Sequence, residues 1–282
     1  MKPICSPYSV KNSSDFSCFT YENLLLLKHY WNIRHPNNII ETDDYYEIWE
    51  ELNYYMKIYL CENEKCWLRK LVNDLDIKHD IFSESFVPNM PKEWKNKPRT
   101  WLSDLDISKV MKQYELAYNN FIFIGPSPID YHNFDAKHQK WVWPELKFFT
   151  LDKYLNSQQK QYKYIGIVFN LDKHTGKGTH WVALFINLEE NKIYYFDSNG
   201  NNIPSNIKKL TESIKTQGKK YNKKFTLSVN YPNTHQQKNT ECGIYVLYFI
   251  INMLTKNNWK HFKNEKVSDD EIFKYRKLFF NN

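Results

Sequence analysis

Acyl transfer needs a nucleophile, a base, a group to orient that base and a donor facing the oxyanion. This sequence supplies each residue type in a workable order. Cys242 ends the polar stretch Gln236-Gln237-Lys238-Asn239-Thr240-Glu241 and precedes an apolar run from Ile244 to Leu254. A run of that length suits a buried helix and is too short to span a membrane. Cys242 then falls in the first helical turn, where the positive end of the helix dipole favours thiolate. The N–H groups of Cys242 and Gly243 lack intrahelical partners there and can face an oxyanion. Gly243, without a side chain, lets a substrate backbone come close. His180 opens an apolar strand, His180–Asn187, and Asp197 follows a second, Lys192–Phe196. The short turn Glu189-Glu190-Asn191 makes them a hairpin, so His180 and Asp197 arrive at the same end of a sheet. Gln236 or Gln237 supplies the side-chain donor. Each piece alone has a plainer reading: a buried structural cysteine, a packing histidine, an aspartate in turn chemistry. Their joint order is what points to a cysteine nucleophile.

The positioning elements follow from periodicity. Leu24, Leu27 and Trp31 share a helix face that begins near Thr20 and ends before Pro36. Asp43 or Asp44 caps a second helix carrying Ile48, Trp49, Leu52, Tyr55, Met56 and Tyr59. A third helical piece spans 64–73, and residues 1–20 read as irregular. Pro88, Pro91 and Pro98 mark a linker. Ser103 or Asp104 caps a helix burying Leu105, Val110 and Met111. Strands are expected at 121–124, 164–169 and 225–229, beside the hairpin, with a last helix from the capping box Ser268-Asp269-Asp270-Glu271. The chain is thus α+β, with an acidic helical arm over 1–95 and a second domain over 96–282.

Composition narrows the partners. Residues 1–95 hold 11 basic and 15 acidic side chains, whereas the remainder carries a net charge of +11. Lys208, Lys209, Lys215, Lys219, Lys220, Lys223 and Lys224 cluster there, as a solvated face or as a contact for nucleic acid. Seven glycines in the whole chain leave little room for glycine-rich phosphate loops. Met1-Lys2-Pro3-Ile4-Cys5 has no apolar stretch of a leader. Five cysteines, an odd count, are therefore expected as reduced thiols. Cys5, Cys18, Cys61 and Cys66 could be imagined around zinc, but their spacing matches no knuckle, and neither a metal nor a cofactor is expected.

His180-Trp181, Asp197 and Gln236…Cys242-Gly243 resemble the signature of the ubiquitin-like-protein proteases and the adenovirus protease. Trp101-Leu102-Ser103-Asp104 resembles the Trp-Leu-Asn-Asp element opening the catalytic domain of the cellular members. The match covers about residues 96–282. The helical arm and the ending Val267–Phe280 resemble more closely the maturation proteases of large double-stranded DNA viruses, of the African swine fever virus and mimivirus kind. The resemblance implies a papain-related domain, a central mixed sheet flanked by helices. It implies Cys242 as nucleophile, His180 as base and acid, Asp197 orienting it and Gln236 completing the oxyanion hole. The loop to Cys242 looks one residue short against the cellular Gln-Gln pair, which keeps Gln237 in play. Asn199 stands close to Asp197, and some viral relatives have an amide at the acid's position. Trp181 and Trp101 would wall a channel admitting only glycine before the cut. The implied substrate is a viral structural precursor cut after Gly, in Gly-Gly-X or Gly-X-Gly contexts, in the virion and the infected cytoplasm. The alternatives are a deconjugating isopeptidase for SUMO or other ubiquitin-like modifiers, an inactive DNA-binding relative, and an acyltransferase to protein hydroxyls. No membrane partner is expected.

Overall fold

Helix starts in the chain carry the caps their sequences write. In the computed structural model, which describes residues 5–158 and 160–281, Ser6, Thr20, Asp44, Asn63 and Asp74 each accept a backbone N–H from the first turn they precede. They begin α1 (Pro7–Asn12), α2 (Tyr21–Arg34), α3 (Tyr45–Ile58), α4 (Glu64–Leu71) and α5 (Leu75–Ser85). Such caps satisfy donors that the helix cannot, each for about 1 kcal/mol. The start of the leader reading, Met1–Ile4, lies outside the described residues.

The chain divides into two compact units, one of Met1–Met90 with Leu278–Asn282 and one of Pro91–Lys277. In the first, α2 to α5 bury Leu24, Leu27, Trp31, Ile48, Leu52 and Trp67. Buried Glu64 is fully employed: Ser17 Oγ, the Cys18 N–H and Trp49 Nε1 all donate to it, at 2.6, 3.0 and 2.9 Å. Asn281 pairs with Asn89 in this unit. The expectation of five reduced thiols is corrected here. Cys5 bonds Cys18 and Cys61 bonds Cys66, with Cα separations of 5.1 and 5.4 Å, inside the range a disulfide can bridge. The four cysteines weighed as zinc ligands thus stand as two separate pairs.

The second unit is built on a mixed sheet. After a short 3-10 turn (Lys92–Lys95), the elements are α6 (Asp104–Ala117), β1 (Phe121–Pro128), β2 (Phe134–Asp135), β3 (Lys140–Trp141), α7 (Pro144–Lys147), α8 (Asp152–Leu155), β4 (Tyr164–Asn170), β5 (Trp181–Asn187) and β6 (Lys192–Phe196). There follow α9 (Ser205–Lys219), β7 (Thr226–Val229), α10 (Cys242–Lys256), α11 (Trp259–Asn264) and α12 (Asp269–Phe279). The sheet order is β1-β4-β5-β6-β7, parallel at both outer pairs and antiparallel within. Strand alternation splits its faces. Ile165, Ile167, Val182, Leu184, Ile193 and Tyr195 pack with Ile207, Leu210 and Ile214 of α9. On the other face Phe196 stacks on Phe249 of α10, and Gly166 leaves room for Phe121 and Ile250. Every residue of α10 from Cys242 to Leu254 is buried, as an apolar run interrupted by Asn252 alone requires. Ser103 caps α6 reciprocally with Asp106, but Leu105, expected inside, is 64% exposed; Val110 and Met111 take the core-facing positions. No helix of the described residues is long and apolar enough to cross a membrane.

Candidate active site

The β5–β6 hairpin sets two of the site's side chains. Ala183 pairs with Phe196, so the residues just before β5 and just after β6 lie at one end. There His180 Nε2 and Asp197 Oδ1 approach to 2.6 Å. Asp197 is wholly buried, and its position is over-determined. Asn230, at the end of β7, accepts the Asp197 N–H at 2.9 Å and donates to its carbonyl at 2.8 Å. The Asn199 N–H adds a second donor to Oδ1 at 2.8 Å. Oδ2 is buried with no hydrogen-bond partner among the described residues. The imidazole is therefore the cation that answers this carboxylate.

Cys242 bears on the same imidazole, raising its pKa through hydrogen bonding and charge. Since Nε2 serves Asp197, Nδ1 is the nitrogen left for the thiol. Burial is the largest single influence on His180 and opposes its charge. The hydrogen bonds to Asp197 and Cys242, with the charges of both, outweigh it and push the imidazole up to about 9. An imidazolium at neutral pH, held between a carboxylate and a sulfur, stabilises a thiolate and can hand a proton to a leaving group. Cys242 is the first residue of α10, and the preceding Glu241 makes no side-chain cap. The first-turn N–H groups stay uncapped by that side chain, as an oxyanion site needs.

The loop into Cys242 is clamped by charge. Glu241 is fully buried and takes Arg276 Nε at 2.7 Å and Arg99 Nη1 at 3.2 Å. Arg276 also donates to the carbonyls of Thr100 and Thr240, at 2.9 and 3.1 Å, and lies over the Trp94 ring. Asp269, at the head of α12, accepts the Gln237 and Lys238 N–H groups at 3.0 and 2.8 Å. Gln236 and Gln237 part company: Gln236 is buried and Gln237 exposed. Ser198 Oγ donates to Gln236 Oε1 at 2.7 Å, which orients the amide and leaves Nε2 as its donor. His235 beside it is a structural histidine. Val267 N–H donates to its Nδ1 at 3.1 Å and its Nε2 meets the Phe262 carbonyl at 2.9 Å, a neutral tautomer that burial favours by lowering its pKa.

Three expected substrate contacts look different in three dimensions. The space beside Gly243 is taken: a Cβ there would lie 2.9 Å from Leu102 Cβ, so the bare backbone admits Leu102 instead of a substrate. Trp181 is 7% exposed and donates from Nε1 to the Leu102 carbonyl at 3.1 Å, which makes it a packing residue as much as a wall. Trp101 is 41% exposed and lines a concavity with Pro98, Arg99 and Thr240. Asn230, Glu241, Asp269 and Arg276 escape a reading of the sequence. Only Glu241 has a local signal, a charge directly before a mainly apolar helix; the others act across distances that spacing does not encode.

Residues 149–278 match the family model described as the Ulp1 protease family, C-terminal catalytic domain. A protein of Acanthamoeba polyphaga mimivirus, named as a candidate thiol protease, is 32% identical over 226 residues, 79% of this chain and 68% of that one. A SUMO-1 cysteine protease of African swine fever virus is 29% identical over 187 residues, 64% of this chain and 67% of the other. The crystal structure of a protease of African swine fever virus superposes with a TM-score of 0.64 at 20% identity, covering 99% of this chain and 97% of that one. A uncapped helix start bearing a cysteine beside a histidine–aspartate pair, on a sheet shared with such relatives, leads to one conclusion: the chain belongs to the Ulp1 protease family and is a cysteine protease.

Proposed function

We propose that this protease is an endopeptidase that cuts after glycine, in Gly-Gly-X or Gly-X-Gly sequences, and processes structural precursors during maturation of a virion. The observation that carries the chemistry is the His180–Asp197 contact of 2.6 Å, together with the influence of Cys242 on the same imidazole. Cys242 Sγ attacks the carbonyl carbon of the scissile bond. The oxyanion is met by the helix-start N–H groups and Gln236 Nε2. His180 passes its proton to the departing amine, leaving a thioester on Cys242. Water then attacks the thioester while His180 takes its proton, and returning that proton to sulfur releases the acid. Asp197 holds Nε2 throughout and so fixes which nitrogen faces the thiol. Small-residue specificity is supported by the resemblance to the Ulp1 protease family. The site of action fitting this reading is the virion and the cytoplasm of an infected cell.

The test is a peptide panel that varies the residue before the cut. Turnover confined to Gly-Gly-X and Gly-X-Gly peptides and abolished in C242A is expected; equal turnover of Ala-Ala-X peptides removes the glycine reading. A second reading is favoured by the name of the African swine fever virus relative, a SUMO-1 cysteine protease. Deconjugation uses the same site, because an isopeptide is also an acyl donor. Faster release from a folded SUMO conjugate than from any short peptide would favour it.

A further inference from the structure

The first unit contains a cavity that the protease chemistry does not use. It opens between α4 and α5, with a volume of 770 Å³, and none of its lining residues is acidic. Lys65, Arg69 and Lys78 supply its charge, although the surrounding segment 1–95 is acidic overall. Among the described residues no carboxylate pairs with any of these three. Lys65 is held in place rather than adrift. Its Nζ donates to Asn89 Oδ1 at 3.2 Å and lies 5.1 Å from the centre of the Phe82 ring and 5.8 Å from that of Phe86. Burial, and after it the charge of Arg69, lower the Lys65 ammonium to about 8. Two cations thus stand together without an answering anion, which is costly unless a ligand supplies one. The wall beside them is apolar: Leu68 and Phe82, with Leu75 76% exposed at the mouth.

We propose that this cavity binds a phosphate-bearing organic ligand of about nucleotide size. Lys65, Arg69 and Lys78 hold the phosphates, and Leu68, Leu75 and Phe82 take the body of the ligand. Charge selects the anion, since a phosphate accepts several charge-assisted hydrogen bonds at once. Volume selects against a lone inorganic phosphate, because the cavity has the capacity of a small-molecule site. The phosphates can come from a free nucleotide or from a nucleic acid strand. Both present the same group to the cations.

Calorimetric titration of the whole chain separates the outcomes, with ATP, pyrophosphate and a twelve-nucleotide single strand as probes. ATP is expected to bind more tightly than pyrophosphate. R69Q/K78Q, which changes partly exposed side chains, is expected to weaken ATP by about tenfold or more. K65Q is expected to do the same, with melting curves confirming that both variants fold. Peptide cleavage by R69Q/K78Q without ligand should match that of the parent. A strand that competes with ATP, and weakens in the same variants, supports the phosphate site and assigns its source to nucleic acid. ATP binding that survives the substitutions overturns the proposal, as does the absence of binding by ATP and the strand up to millimolar concentration.

Discussion

At the scale of single residues, the site turns on one imidazole. His180 is pushed up to about 9 against a burial effect that works the other way. Its ordinary value is 6.5, so its interactions stabilise the fold fully below about 6.5 and cease to do so as pH rises through 9. Stability measured by urea unfolding should therefore decline between pH 6.5 and 9 in the parent and stay flatter in H180N. Ring titration by NMR should place His180 near 9, and in C242A the value should fall, because the sulfur's hydrogen bond and charge both raise it. An unchanged value in C242A would mean that Asp197 alone holds the proton. The order of His180, Asp197 and Cys242 was legible in the sequence because hairpin geometry follows from strand length and turn length. The pairing that fixes Asp197 was not. Asn230 reaches it from β7 over 33 residues, and nothing in the local pattern around Asn230 distinguishes it from a loop amide.

At the scale of elements, the head of α10 is held by contacts that can be broken one at a time. Glu241 and Arg276 are both buried, and removing Arg276 leaves the Glu241 carboxylate only the longer contact with the partly exposed Arg99. R276M should cost about 3–5 kcal/mol in urea unfolding, whereas E241Q/R276M should cost clearly less, since it leaves no buried charge unanswered. Equal losses would mean that Arg276 matters through Trp94 packing. Gly243 gives a test with a change of sign. In the parent, G243A drives a Cβ to 2.9 Å from Leu102 and should destabilise by about 1–3 kcal/mol. In an L102G background, which removes the Cβ that the new methyl would meet, the same change should stabilise, because alanine is the better helix former by about 1 kcal/mol. Elements themselves were largely readable: caps at Thr20, Asp44 and Ser103 sit where the sequence places them. α1 and α5 were overlooked although Ser6-Pro7 and Asp74 write ordinary starts, since their short apolar stripes blur the period. Leu105 misled because one leucine in a capped turn says nothing about which way that turn faces.

At the scale of the whole molecule, the two units differ in what holds them. The first couples a small helical core to two disulfides, and the second rests on a sheet covered on both faces. Among the described residues Cys242 is the one free cysteine, so thiol titration of the denatured, unreduced protein should find one reactive group and reduction should expose four more. Five before reduction would return the first unit to the thiol state that its cysteine count first suggested. Charge asymmetry between the halves was visible in composition; the cation-lined cavity within the acidic half was not, because it gathers residues from two helices. The claim on which the account stands is that Cys242 is activated by His180. The direct measurement is the rate at which iodoacetamide alkylates Cys242 at pH 7, followed by mass spectrometry in the native parent and in H180A. Rapid labelling that drops by about tenfold or more in H180A is expected. The same slow rate in both proteins would contradict it.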